Sequence, residues 1–182
     1  MKDTERLYYR LIDKADFDFY YSINSNIKVM RYAYADAFQS EEEAKAAFKK
    51  AIDRQSDLGD GFQYIAAKKD TGEKIGIVDY EVIGNNQEEM VCEIGYFILP
   101  VFWGMGYAAE MGKEMVNHLF SESIANRAKA SCHAENKASE KTMIKIGMKK
   151  DEINANGRFK DGKWADEICY SIRKDEWEIK KG

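Results

Sequence analysis

Apolar positions along this chain fall into two rhythms, and the change from one to the other at its centre is sharp. Glu93-Ile-Gly-Tyr-Phe-Ile-Leu99 is β-branched and aromatic, as a strand requires. It ends at Pro100, the only proline, which cannot donate to a sheet ladder. Gly104-Met105-Gly106 follows. Then Ala108, Ala109, Met111, Met115, Leu119 and Phe120 recur at helical spacing, predicting a helix from Tyr107 to about Ser123. The order is strand, glycine turn, helix.

The same reading divides the rest of the chain. Strands are expected over Arg6–Ile12, Phe62–Lys68, Lys74–Ile83, Glu89–Leu99, Ala128–Ala134, Met148–Asn154 and Ala165–Ile172. Helices are expected from Asp13 to about Asn24, from Ser40 to Ile52, and over Ala138–Ile146, stopped by Gly147. Ser40 and Glu43 form a capping box, and Ala44, Ala47, Phe48, Ala51 and Ile52 mark a buried stripe. Ile27–Tyr34 is aromatic-rich without a clear period. Gly59-Asp60-Gly61 breaks the pattern, turns fall around Gly72 and at Gly84-Asn85-Asn86, and Asp161-Gly162 favours a hairpin. The three strands before the central helix read as an antiparallel meander. With no linker and no repeat, residues 1–182 read as one α+β domain.

Composition narrows the class. The 182 residues suit one sizeable core, and 45% hydrophobic with 33% charged residues is a globular balance. No apolar run approaches the roughly 20 residues that span a bilayer, and Met1–Arg6 lacks a signal-peptide core, so a cytoplasmic location without membrane contact is expected. A net charge of −4 with interspersed signs argues against nucleic acid as a partner. Lys145, Lys149 and Lys150 form a basic cluster, read first as a solvated face. Cys92, Cys132 and Cys169 are widely spaced in strands and read as small buried apolar residues. His118 and His133 are too few and too separated for a metal site, so no metal is expected.

The glycine turn has a chemical use. The first turn of a helix offers unpaired N–H groups and a favourable dipole for anions, and two glycines let a bulky anion approach. A plain tight turn would use the same residues. Phe97-Ile-Leu-Pro-Val-Phe-Trp-Gly-Met-Gly-Tyr-Ala108 resembles the acetyl-CoA-binding signature of the GNAT N-acetyltransferases, nearest the branch that includes the ribosomal-protein N-terminal acetyltransferases. The family pattern is Gln/Arg-x-x-Gly-x-Gly/Ala; here Gly104 and Gly106 stand in place and Val101 replaces the Gln or Arg. The resemblance implies a GNAT-like fold, a central mixed, mostly antiparallel sheet of about seven strands flanked by about four helices. It also implies acetyl-CoA as cosubstrate, held by Phe97, Ile98, Leu99, Gly104, Met105, Gly106, Tyr107 and Ala108, an amine acceptor, and compatibility with a homodimer.

A second block, His133-Ala-Glu-Asn136-Lys-Ala-Ser139 followed by Met143, Ile146, Gly147 and Met148, resembles the family's Asn-x-x-Ser helix. It implies that Asn136 contacts the pantetheine arm and that Ser139, one turn on, also meets the cofactor near the sulfur or the phosphates; Asn136 also suits a helix cap. Thr4–Leu7, Lys28–Tyr32, Lys160–Trp164 and Tyr170–Ile172 extend the resemblance over nearly the whole chain.

Acetyl transfer needs a neutral amine, a donor for the carbonyl oxygen, and at most weak acid help for a thiolate whose thiol pKa is about 8.5. Glu93 is the candidate base, sharing a strand face with Gly95 and Phe97; an orienting carboxylate is the other reading. The N–H near Ile98 is the oxyanion donor that the family implies. Ser139 is the candidate acid, because Met143 stands where many members carry a tyrosine, leaving Ser139, water or nothing. Tyr20, Tyr21, Tyr32, Tyr34 and Trp164 are acceptor-pocket candidates or core aromatics. Gly104-x-Gly106-x-x-Ala109 also satisfies the dinucleotide fingerprint, but three antiparallel strands precede it and no acidic residue follows near position 129. A non-catalytic acyl-CoA-binding module and a structural interaction domain complete the alternatives.

Overall fold

Seven strands form one sheet in the order β1-β2-β3-β4-β5-β7-β6. In the computed structural model, which describes residues 1–55, 60–85 and 89–179, they are β1 (Leu7–Leu11), β2 (Gly61–Lys68), β3 (Lys74–Asn85), β4 (Met90–Ile98), β5 (Arg127–His133), β6 (Lys149–Lys160) and β7 (Lys163–Arg173). Every neighbouring pair is antiparallel except β4 and β5. The helices are α1 (Phe17–Asn24), α2 (Ile27–Met30), α3 (Glu41–Asp53), α4 (Tyr107–Ser121), α5 (Lys137–Ile146) and α6 (Lys174–Ile179).

Alternation along the strands gives the sheet two apolar faces. On one, Tyr64, Val78, Tyr80, Cys92 and Ile94 pack with Met111, Met115, Leu119 and Phe120 of α4 and Met143 and Ile146 of α5. On the other, Ile65 and Ile77 pack with Tyr20 and Ile23 of α1 and Phe48 of α3. The helices α1, α3, α4 and α5 each hide one stripe, so the layers are helix, sheet, helix.

The expected α+β layout holds, with adjustments. The four longest helices are α1, α3, α4 and α5; α2 and α6, of four and six residues, are too short to show a period. Asp13 caps a 3-10 turn, Lys14–Asp16, from which α1 continues. Ser40 Oγ accepts the Glu43 N–H as a capping box requires, but Glu43 reaches back to the Gln39 N–H at 3.1 Å rather than to Ser40. β3 continues through Gly84 and Asn85, where a turn was expected; Asn86 and Gly59 lie outside the described residues. β6 runs to Lys160 rather than Asn154, because register shifts at Lys150/Glu152 and Asn154/Arg158 erase its alternation.

Candidate active site

β4 and β5 pair only from Val91–Glu93 against Arg127–Lys129. Beyond that β4 runs to Ile98 and β5 to His133 with no ladder between them. A groove of roughly 1020 Å3 opens there. It is lined both by Ile94, on the α4 face, and by Phe97, on the α1 face, so it passes through the sheet. Edge groups left unpaired inside such a gap can bind an extended ligand as another strand would.

One end of the groove is the glycine turn. Gly104 and Gly106 have φ of 78° and 83°, the left-handed region that glycine enters without strain. Gly106 caps α4, whose first intrahelical bond is Glu110 N–H to Gly106 O, leaving the amides of Tyr107, Ala108 and Ala109 outside the helix ladder. Phe97, Ile98, Gly104, Gly106, Tyr107 and Ala108 border the groove; Leu99 and Met105 do not. Leu99 packs on the hydrophobic cores, and Met105, 53% exposed, offers its carbonyl to Arg6 at 2.9 Å. Arg6 also binds Glu110 at 2.6 Å and lies over the Tyr107 ring, so the segment just before β1 braces the turn. Val101 is exposed. The basic cluster divides: Lys145 borders the groove with Lys141, whereas Lys149 pairs with Glu176 and Lys150 lies 3.9 Å from Glu140.

The second wall is the start of α5. Asn136 Oδ1 accepts the Ser139 N–H at 3.1 Å, so the cap role is real, and Asn136 also borders the groove. Ser139 Oγ lies 3.0 Å from the hydroxyl of Tyr96, which donates to Ser139 O as well. The sequence assigns Tyr96 no part in the site, and the structure sets its hydroxyl beside Ser139. The available signal was strand alternation: Tyr96 sits with Ile94 and Ile98, on the face opposite Glu93. Burial pushes its phenol up to about 12, with the Ser139 bond opposing, so it stays a donor at neutral pH. Met143 is fully buried and serves the core.

The far end carries carboxylates. Glu93 stands opposite Glu81 and accepts from Ser131 Oγ at 2.8 Å. Ser131 also receives Arg158 Nη2 at 3.1 Å. Arg158, 6% exposed, binds Glu167 at 2.9 Å and the Tyr32 carbonyl at 2.9 Å, and lies 3.7 Å from the Tyr34 ring centre. Burial acts to raise the Glu167 carboxyl, yet hydrogen bonds from Tyr34 and Asn154 and the Arg158 charge hold it below the usual range. Asp79 faces Gly95, and its carboxyl is pushed up to about 7 by burial first and by Glu81 and Glu93, against the Gly95 amide. Sequence reasoning missed Asp79, Ser131, Arg158 and Glu167, because only register unites them.

Tyr32 and Tyr34 line the groove. Tyr20 belongs to the second core, Tyr21 stacks on Phe17, and Trp164 meets Phe159 at the hairpin end. His133 accepts the Glu135 N–H and lies against Tyr32, while His118 meets the Tyr64 hydroxyl, so both are structural. The three cysteines are free and buried, their thiols pushed up to about 11 by burial. Among the described residues no cluster of His, Cys, Asp and Glu could hold a metal, and no helix is long and apolar enough to cross a membrane.

Comparison with known proteins agrees with this geometry. The family model described as an acetyltransferase (GNAT) domain matches residues 6–149. YnaD of Bacillus subtilis, an uncharacterised N-acetyltransferase, is 33% identical over 96% of this chain and 97% of its own. The spermidine N-acetyltransferase of Vibrio cholerae, solved with CoA and spermine, superposes with a TM-score of 0.84 at 18% identity over 96% of this chain and 99% of that one. RimL, a ribosomal L7/L12 α-N-protein acetyltransferase solved with CoA, gives 0.81 at 17% over 93% and 95%. At those identities the two structures speak for the fold alone. The family model and the near full-length relative decide the matter: the chain belongs to the GNAT family of N-acetyltransferases and is an acyltransferase.

Proposed function

We propose that this enzyme transfers the acetyl group of acetyl-CoA to a primary amine by direct attack in a ternary complex. One observation carries the reading: the groove passes through the sheet, with the glycine turn at one end and Asp79, Glu81 and Glu93 at the other. A ligand with a polyanionic head and an extended arm fits the first half. Its phosphates would meet the α4 amides, with Lys141 and Lys145 nearby, and its arm would lie between β4 and β5 beside Asn136. An amine arriving as ammonium fits the second half.

The roles follow from placement. Leu99 N–H donates to Ile75 O across β3, so by alternation the Ile98 N–H turns towards the gap, where it suits a developing oxyanion. Glu93 meets the amine and, through water, first receives its proton. The Tyr96–Ser139 hydroxyl pair protonates the leaving thiolate.

Calorimetry tests this on wild type and Gly106→Trp, with acetyl-CoA as ligand and NAD as control. Acetyl-CoA is expected to bind the wild type in the micromolar range, NAD not at all, and a folded tryptophan variant is expected to lose binding. A folded wild type that ignores acetyl-CoA would overturn the reading.

A further inference from the structure

The face that carries Glu93 holds a second carboxylate for which the scheme above has no task. Asp79 stands on β3 directly opposite Gly95, and its carboxyl lies over that glycine: a Cβ there would come within 2.3 Å of Asp79 Oδ1. The absent side chain is what admits the carboxyl to the groove wall, which Asp79 lines with Glu81 and Glu93. Its two neighbours are both engaged: Glu81 by Arg54 at 2.6 Å and Glu93 by Ser131 at 2.8 Å. Among the described residues no cation or side-chain donor is paired with Asp79.

The groups around it come from several elements. Glu81 lies on its own strand and Glu93 on β4, and both act on its charge. β2 sets Gln63 opposite it, and Tyr20 of α1 feels its charge. From α2 and the turn after it, Lys28 and Arg31 border the same groove.

We propose that Asp79 is where the proton shed by the acceptor ammonium comes to rest, with Glu93 holding the amine in line. The inference rests on the acetyl-transfer reading above. The step balances. The ammonium gives one proton, by way of Glu93 and a water, to the Asp79 carboxylate and becomes a neutral amine. Its lone pair forms the C–N bond as the C–S bond breaks. The thiolate takes the second nitrogen proton through the Tyr96–Ser139 hydroxyls, and Asp79 later releases its proton to water. An amine of pKa about 10 gives its proton to a carboxylate near 4 only against a factor of about a million. With the carboxyl near 7 the factor falls to about a thousand.

The test is the pH dependence of kcat/KM, followed by thiol release, for an amine that the wild type acetylates. The wild type is expected to lose about tenfold per pH unit below pH 7 and to level off between about 7 and about 10, where the free amine takes over. Asp79→Asn is expected to keep acetyl-CoA affinity by calorimetry, to fall on the order of a hundredfold or more, and to rise with pH without the plateau. Glu93→Gln is expected to raise the amine KM, to lower kcat, and to keep a limb displaced below 7, because the Glu93 charge helps to raise the Asp79 carboxyl. An Asp79→Asn enzyme with its limb intact overturns the inference. So does a carbon-13 NMR titration of the wild type that places the Asp79 carboxyl near 4, a readout that needs no variant to fold. Failure of the wild type to bind acetyl-CoA would sink the parent reading instead.

Discussion

Replacing Asp79 by asparagine should stabilise this protein in a pH-dependent way, even without a substrate. Folding raises the Asp79 carboxyl from 3.8 to about 7, with burial as the largest cause. The sign follows directly. The folded state binds this proton more tightly than the unfolded chain, so its contribution is full below 3.8 and lost as pH rises through 7. A shift of about three units at 1.36 kcal/mol each amounts to about 4 kcal/mol in all. Of this, about 2.7 kcal/mol remains at pH 5 and about 0.1 at pH 8. Asparagine is neutral throughout, matches the shape, and can still accept from the Gly95 amide. Relative to Asp79→Asn, the wild type should therefore lose about 2.6 kcal/mol between pH 5 and pH 8. Partial exposure to the open groove makes this an upper value.

Urea unfolding of both proteins at pH 5, 6, 7 and 8, at constant ionic strength, measures the difference, since every other carboxylate that keeps its environment cancels. For a chain of this size the same energy would separate the melting temperatures by about 5–10 °C more at pH 8 than at pH 5. A separation that stays constant over that range would show that Asp79 titrates as an ordinary carboxylate. The burial argument, and the proton-store role built on it, would then fail.

Gly95→Ala forces the Asp79 carboxyl aside and should cost about 1–3 kcal/mol in urea while moving the limb near pH 7 downwards, as the carboxyl gains water. Arg158→Met leaves Glu167 buried without its cation and should cost about 3–5 kcal/mol, with a matching drop in urea midpoint. Tyr96→Phe and Ser139→Ala should each lower kcat by up to about a hundredfold with acetyl-CoA affinity retained; wild-type turnover in both would assign thiolate protonation to water.

What could be read along the chain was what the chain decides locally. The strand, glycine turn and helix over 93–121 were legible because Pro100, two glycines and a helical stripe each act within a few residues. The Asn136 cap was legible for the same reason. Tyr96 lies in a legible strand, but its place beside Ser139 is not legible, because that partner lies 43 residues away on α5. Asp79 gave no signal at all, since a carboxylate in an alternating strand looks solvent-facing until register sets it over a glycine. Arg158 lies beyond a register shift in β6, where alternation no longer tells which side chains turn inwards. It meets Tyr32 across 126 residues.

The one parallel pair in the sheet accounts for the division of labour. A parallel neighbour requires a crossover, and α4 is that crossover, so its amino terminus has to lie at the end of β4. That sets the free amides of the first α4 turn, the proposed phosphate contacts, at one mouth of the gap without any basic side chain at position 101. Strand alternation then does the rest. Glu93, Gly95 and Phe97 turn to the α1 face, while Ile94, Tyr96 and Ile98 turn to the α4 and α5 face. Carboxylates therefore gather on one side of the gap and the hydroxyl pair on the other. In the proposed reaction, the first proton leaving the amine and the proton reaching the thiolate travel on opposite faces of the sheet. Exchanging the two sets would take a one-residue slip of β4, which would bury Glu93 against α4 and expose Ile94 to the acceptor. The same register that holds the core together therefore keeps the proposed acid and base apart.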